Sequence, residues 1–294
     1  MDSLGKASLI GKENLVISRR DTVGKKVQQS NKSIIQAVLP YAAAQQNYVI
    51  TKSGMAYSVP GIERLDAVLA DSKYENLLQA LELGAILLPC PNNRDAYSHG
   101  KLVLLTNLGN MICMSDEWLH KIRKNGIPFA KDLSEKEVIV SACLLDTDQD
   151  LLILTRNGKA LRLYADSIHM VKAKGTKPRK GIRLSEDDSA VTCLPYTEDL
   201  IIAKENGQIA AINRPITPVA TCGSYGINLT EGSKVITAFR RPDAIVLVDS
   251  RGYMIIVDAE EFVSKKKTIG VNAKKLSRDS KLIFASGISY SEEQ

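Results

Sequence analysis

The sequence predicts an all-β protein, a propeller of five to six four-stranded blades. The prediction rests on a repeated hairpin pattern, on the spacing of its copies and on the short strands that follow each hairpin. Five times, an apolar strand is followed by a polar turn that ends in Gly and by a second strand. The copies are NYVITKSGMAYSV, LVLLTNLGNMICM, LLILTRNGKALRLY, LIIAKENGQIAAI and AIVLVDSRGYMIIV. Their turn glycines are Gly54, Gly109, Gly158, Gly207 and Gly252.

The chemistry of each copy fits a hairpin. Glycine tolerates the positive φ of a bulged hairpin turn, and the flanks are rich in strand-forming Val, Ile, Leu and Tyr. A polar loop, a short strand and an apolar strand follow, as in KGIRL before AVTCLPY. Four strands in units of ~40–50 residues are typical of propeller blades.

We expect one domain, residues 1–294. Its predicted blades are approximately 12–45, 46–92, 101–146, 150–196, 199–240 and 243–288. In the first and shortest unit, NLVISRR and TVGKKVQ are expected to pair as a hairpin, and SIIQAVLPY to form the last strand. Segments 62–88 and 116–125 are interpreted as loop insertions that carry a short helix.

Composition is that of an ordinary globular protein, with 24% charged and 44% hydrophobic residues and a net charge of +6. No apolar run is long enough for a membrane span, and the N-terminus has no secretory signal pattern, so we expect a cytoplasmic protein. Five cysteines without a C-x-x-C argue against a disulfide framework and a zinc site. We interpret Cys90, Cys143 and Cys193, which lie in similar apolar contexts, as small buried hydrophobes.

No constellation indicates catalysis, a metal or a cofactor. The histidines, His99, His120 and His169, lie in different repeats without metal-ligand spacing. The D-T-D-Q-D run at 146–150 lacks the Gly and the Glu of a calcium loop, and no phosphate-binding loop occurs. We therefore expect a non-catalytic chain that needs no cofactor.

The segment SIHMVKAKGTKPRKGIRLSEDDSAVTCL, 167–194, resembles the blade linker and strands of the C-terminal domain of DNA gyrase A. YGINLTEGSKVITAF and IGVNAKKLSRDSKLIFA repeat the same plan more loosely. This resemblance to the type IIA topoisomerase A family implies a β-pinwheel, in which neighbouring blades exchange a strand. It also implies a basic outer rim on which duplex DNA bends, and partnership with the catalytic subunits of a topoisomerase in the nucleoid.

The sequence departs from the family pattern in two places, and both departures change the function that we expect. The QRRGGKG box of gyrase is replaced by VQQSNKSII at 27–35, which argues against complete chiral wrapping and makes the chain more similar to topoisomerase IV. The DNA-cleaving core, with its tyrosine nucleophile beside an Arg, has no counterpart in this sequence. The chain is therefore expected to act as an accessory domain, monomeric when isolated.

Two basic segments without acids are the candidate DNA contacts, and both lie in the loop after a hairpin. Cations near phosphates bind DNA through counterion release, without sequence preference. The predicted contact residues are Lys159, Arg162, Lys172, Lys174, Lys177, Arg179, Lys180, Arg183, Lys265, Lys266, Lys267, Lys274 and Lys275. Weaker candidates include Lys25 and Lys26. The alternative is a protein-interaction propeller that binds or mimics one of the topoisomerase subunits.

Overall fold

The computed structural model describes residues 16–26, 46–59, 85–90, 100–122, 125–263 and 270–289. Within these ranges it contains five four-stranded sheets, which we call blades 1 to 5 in chain order. None of the helices in these ranges has the length and apolar character needed to cross a membrane.

Each blade is built from a hairpin, a third strand further along the chain and a short fourth strand, and its strands are given in the order third, first, second, fourth. Blade 1 contains β4 (Ala85–Cys90), β2 (Gln46–Thr51), β3 (Met55–Val59) and β7 (Ile127–Pro128). Blade 2 contains β8 (Ile139–Leu145), β5 (Lys101–Thr106), β6 (Asn110–Ser115) and β11 (Arg179–Lys180). Blade 3 contains β13 (Ala190–Pro195), β9 (Leu151–Thr155), β10 (Lys159–Leu163) and β17 (Ile227–Asn228). Blade 4 contains β18 (Val235–Arg240), β14 (Leu200–Lys204), β15 (Gln208–Ile212) and β21 (Val271–Asn272). Blade 5 contains β22 (Leu282–Ile288), β19 (Ala244–Asp249), β20 (Tyr253–Asp258) and β1 (Lys25–Lys26).

Helices are short in the described ranges. A 3-10 helix spans Asp116–Lys121, as expected for the insertion at 116–125, and Ser115 caps it by accepting a hydrogen bond from the Glu117 amide. A second 3-10 helix spans Ala165–Ser167, and a single α-helical turn spans Glu260–Val263. The helix considered for 62–88 falls mostly outside the described residues, although 85–88 belongs to β4.

The fourth strand of blades 1 to 4 comes from the next repeat unit, and that of blade 5 comes from the N-terminal stretch. We call the chain stretches that carry these strands the rim segments: 16–26, 125–131, 172–183, 220–230 and 270–275. Neighbouring rim segments also touch, because β12 (Ile182–Arg183) runs parallel to β16 (Ser224–Tyr225). Blades therefore interlock through exchanged strands, as the family resemblance implies.

The central residues of the first strands are apolar and buried, and in blades 2 to 4 neighbouring blades cover both faces. In β5, Leu102 and Leu104 pack into a core shared with blade 1, whereas Val103 and Leu105 pack into a core shared with blade 3. Similar cores separate blades 3 and 4 and blades 4 and 5. The third strands of neighbouring blades contact one another, so they form the inner wall and the fourth strands form the outer rim.

The hairpin expected in the first unit is wrong in its described part. Residues 16–26 do not pair with one another; they dock on blade 5, where Ser18 donates its amide to the Ile256 carbonyl and Lys25 lies opposite Met254. Strand β1 therefore completes the last blade instead of opening a blade of its own. The physical reason is that β20 would otherwise have a free edge, which β1 from the N-terminal stretch fills. The rest of that unit, including SIIQAVLPY, lies outside the described residues.

Candidate nucleic-acid interface

The rim segments present short strand edges to solvent. Each exchanged strand has two residues, and only two of the five carry a pair of cations. These are Arg179–Lys180 on blade 2 and Lys25–Lys26 on blade 5, all four exposed. Equivalent positions on the other blades are Ile127–Pro128, Ile227–Asn228 and Val271–Asn272. The structure thus raises Lys25 and Lys26, weaker candidates by sequence, to the same standing as Arg179 and Lys180.

The segment 172–183 is the densest group of available cations. Its six basic residues are all exposed, and none pairs with a carboxylate of the described chain: Lys172, Lys174, Lys177, Arg179, Lys180 and Arg183. Lys180 Nζ donates to the Leu108 carbonyl at 3.1 Å, and the Arg183 guanidinium lies 5.3 Å from the centre of the Tyr225 ring. Because these partners are neutral, the positive charge of the segment remains available to an anion.

Two predicted contacts, Lys159 and Arg162, lie on β10 and are partly buried. Arg162 Nε donates to Asp150 Oδ2 at 2.8 Å, its Nη1 donates to the Ile216 carbonyl, and its guanidinium stacks 3.6 Å from the Tyr196 ring centre. These contacts fix the loop at 216 to blade 3, so we interpret Arg162 as structural. Lys159 Nζ donates to Ser185 Oγ and stays near the rim.

The prediction of Lys274 as a DNA contact is contradicted by its position. Lys274 is only 2% exposed, with its Nζ 3.4 Å from Asp249 Oδ2 and also donating to the Val23 carbonyl. Burial lowers the pKa of its ammonium, an effect that the Asp249 carboxylate opposes. Lys274 thus ties the rim segment 270–275 to β19 and to the segment 16–26 and cannot reach a phosphate, whereas Lys275 is exposed. Lys265, Lys266 and Lys267 lie outside the described residues.

Acidic turns lie on the loops that lead from the rim back to the inner wall. In SEDDS, Asp188 Oδ1 accepts hydrogen bonds from the Asn157 and Ser189 amides, which ties the loop to the hairpin tip of blade 3. In the equivalent loop of blade 2, Glu137 accepts from Thr106 and Asn110 side chains. These hydrogen bonds outweigh the effect of burial and lower the pKa of Glu137. Asp188 and Glu137 therefore organise hairpin tips, and neither forms an ion pair with a described cation of the rim segments.

The cysteines have the character of core residues. Cys113, Cys143 and Cys193 are buried between blades 2 and 3, with 3.7 Å between the sulfurs of Cys143 and Cys193. The hydrogen bond to Cys193 and burial raise the pKa of the Cys143 thiol, and burial raises that of Cys113 to about 11. The interpretation of Cys143 and Cys193 as small buried hydrophobes is confirmed. For Cys90 it stays a prediction, because that side chain lies outside the described part of the chain.

Comparison with known families gives one match. The model described as "DNA gyrase C-terminal domain, beta-propeller" matches residues 149–196 and 244–289, which contain the first three strands of blades 3 and 5. Among curated proteins, the DNA gyrase A protein of Rickettsia bellii is 31% identical over 107 residues, 36% of this chain and 12% of that protein. The DNA gyrase A protein of Borreliella burgdorferi is 24% identical over 253 residues, 76% of this chain and 31% of that protein.

Solved structures extend the likeness to the whole fold. A DNA gyrase A C-terminal domain superimposes with a TM-score of 0.79 at 19% identity and covers 98% of both chains. The C-terminal domain of a DNA topoisomerase IV superimposes with a TM-score of 0.67 at 14% identity and covers 90% of this chain and 86% of that chain. The resemblance to the C-terminal domain of the type IIA topoisomerase A family is confirmed.

The gyrase-type fold and the β-propeller prediction are confirmed with it. The chain spans less than a third of the length of the gyrase A proteins it matches. Both gyrase A and topoisomerase IV A proteins are among its relatives. The preference for topoisomerase IV came from the segment at 27–35, outside the described residues, and stays a prediction.

Proposed function

We propose that this chain is a non-catalytic DNA-binding and DNA-bending domain of a type IIA topoisomerase of the gyrase A family. It engages duplex DNA through the rim segments and works with the catalytic subunits of the enzyme. The observation that carries the proposal is the exposed basic segment 172–183, whose cations have no carboxylate partner in the described chain. The gyrase-type fold supports the same proposal.

Charge on the rim sets the expected strength of binding. Each cation near a phosphate contributes roughly 0.9 to the slope of log affinity against log salt. Bending ~20–30 bp around the rim costs about 1–6 kcal/mol, which the contacts have to exceed. Basic strands on blades 2 and 5 are separated by neutral strands on blades 3 and 4. We therefore expect moderate affinity. The bent duplex should be bound at two separate parts of the rim, on blades 2 and 5, instead of being wrapped continuously around it.

Charge reversal on blade 2 tests the proposal. In Lys177→Glu/Arg179→Glu/Lys180→Glu, we expect affinity for a ~30-bp duplex to fall at least tenfold in ~50 mM salt, with a salt slope smaller by about 2–3. Fluorescence anisotropy over a salt series measures both quantities. The fold should survive because all three side chains are exposed.

A matched control uses three lysines away from the rim strands. The variant Lys136→Glu/Lys234→Glu/Lys281→Glu makes the same change in charge. Its three lysines are exposed and lie on the loops that lead from the rim back to the inner wall. It should keep most of the parent's affinity. Equal losses in the two triple variants would mean that net charge alone drives binding, and no loss in the first would remove the rim from the site. A parent chain that binds no duplex but retains one of the topoisomerase subunits would favour the protein-interaction alternative.

A further inference from the structure

The rim segment 220–230 differs from the others in its chemistry. It contains no Lys or Arg, and from 215 to 233 the only charged residue is Glu231. It nevertheless lies between the basic segment 172–183 and the segment 270–275, because its strand β17 is the edge of blade 3. Two large apolar side chains are exposed on it: Tyr225, 57% exposed, and Ile227, 52% exposed.

The backbone of this segment is held on both sides. The Gly223 amide donates to the Gly181 carbonyl at 2.7 Å, β16 pairs with β12, and Ile227 lies opposite Ala160 in β10. At Gly226, a Cβ atom would lie 3.0 Å from the Ala160 carbonyl oxygen, so this residue faces the blade. Because side chains alternate along an extended chain, Tyr225 and Ile227 both face away from the blade.

Cations frame these two side chains. Arg183 lies opposite Tyr225 in the parallel pair, with its guanidinium 5.3 Å from the ring centre, and Lys180 packs beside Gly223. On the other side, Arg214 donates to the carbonyl of Asn228. A polyanion held by these cations would therefore lie directly over the tyrosine and the isoleucine.

Duplex DNA offers an apolar surface at that distance from its phosphates, namely the deoxyribose rings that line the minor groove. Proteins that bend DNA from the minor groove frequently place apolar side chains in that groove. We propose that Tyr225 and Ile227 form an uncharged contact with the sugars of the duplex whose phosphates are bound by Lys180 and Arg183. This inference rests on the proposed function and adds to it a contact that does not depend on salt.

The test separates apolar from ionic contributions. Tyr225→Ala/Ile227→Ala is expected to bind a ~30-bp duplex about tenfold more weakly than the parent at every salt concentration, with the salt slope unchanged. Tyr225→Phe should retain the parent's affinity because the ring contact survives. Tyr164→Ala is the matched control: Tyr164 is 46% exposed at the far end of β10 and should leave binding unchanged.

Two results for the double variant overturn the inference. Unchanged affinity in the double variant would show that the duplex does not contact these side chains. A smaller salt slope would show that they act only by holding Arg183. If the double variant loses affinity and the charge-reversal triple does not, the apolar contact stands and the ionic rim of the proposed function fails. A parent without duplex affinity would overturn both.

Discussion

Lys274 and Lys275 are adjacent in the chain and have opposite environments. Lys275 is exposed, whereas Lys274 is buried against Asp249 and the Val23 carbonyl. A run of basic residues in the sequence predicts an exposed patch but does not say which residue faces the blade. That depends on contacts with β19 and with the segment 16–26, both distant in sequence. Sequence therefore identified the basic segments and misassigned a residue within one of them.

Lys204 is a second buried lysine and allows a prediction about pH. Its side chain is fully buried, and Nζ donates to the Glu231 carbonyl at 2.6 Å. Burial lowers the pKa of Lys204 to about 8, against the opposing effect of the Glu231 carboxylate. In the unfolded chain the pKa is about 10.4. Between these values the unfolded state binds more protons, so the free energy of unfolding contributed by this group rises with pH.

We expect the difference in unfolding free energy between Lys204→Met and the parent to depend on pH. At pH 7 the free energy of unfolding of the parent is lowered by the full cost of burying an ammonium group. By pH 10 most of this cost has disappeared. The free energy by which the unfolding of Lys204→Met exceeds that of the parent should therefore be smaller at pH 10 than at pH 7 by about 2 kcal/mol. Urea denaturation at both pH values measures it, and Lys234→Met, an exposed lysine nearby, is the control. A constant difference would show that Lys204 has an ordinary pKa.

At the scale of the strand, the turn glycines do more than form hairpins. Gly109 has φ 74° as expected for a bulged turn, and its carbonyl also accepts the amides of Gly181 and Ile182 from the next rim segment. Gly54, Gly158 and Gly207 make the same contacts with their own rim segments. Glycine spacing thus predicted the hairpins correctly. The hydrogen bonds from the rim segment to the glycine carbonyl were not predictable, because they join segments about 70 residues apart.

Substitution of Gly109 should separate these two functions. In Gly109→Ala the new Cβ would lie 2.6 Å from the Ile182 carbonyl oxygen, so the rim strand would have to move. Gly175→Ala is the control, because Gly175 has φ 63° and no neighbour of its Cβ position closer than 3.9 Å. We expect Gly175→Ala to cost about 1 kcal/mol of stability and Gly109→Ala about 2–4 kcal/mol. Equal losses by chemical denaturation would mean that the turn conformation alone requires glycine.

Exchanged strands are also the elements that sequence describes least well. KGIRL and YGINL were expected to give short strands of their own units. Instead, Lys180 in β11 pairs with blade 2 and Ile227 in β17 pairs with blade 3, in each case the blade before. Two-residue strands carry almost no periodicity, and their partners are set by non-local packing. Lys and Pro on such edges also protect a sheet from pairing with another chain, so part of the rim charge has a structural use.

For the whole molecule, the segment 16–26 is decisive because it supplies the last blade with its fourth strand. Besides β1, it is fixed by the Asp21 amide on the Ala273 carbonyl and by the Arg20–Glu261 ion pair at 3.2 Å. Gly24 packs tightly on the Met254 carbonyl. The same segment presents Lys25 and Lys26, so docking of the N-terminal stretch and the charge of that sector are linked.

Deletion of residues 1–26 should open the edge of blade 5. We expect amides of Tyr253–Asp258 to exchange with solvent at least tenfold faster, because β20 loses its outer neighbour. A shorter deletion, 1–15, keeps every contact described above and serves as control. Hydrogen exchange measured by mass spectrometry compares the two, and equal protection in both would show that β1 does not stabilise the blade.

Strand exchange has a consequence for the ancestry of the fold. Since blades 1 to 4 each draw their outer strand from the unit that follows in the chain, the DNA segment that encodes one repeat does not encode one blade. Duplicating such a segment inserts a hairpin that lacks an outer strand and donates one to its predecessor. Adding whole repeats therefore preserves the strand exchange between existing blades. The blade that lacks an outer strand is then always the last one in the chain. In this chain the outer strand of the last blade is supplied by the segment 16–26, which precedes the first complete repeat.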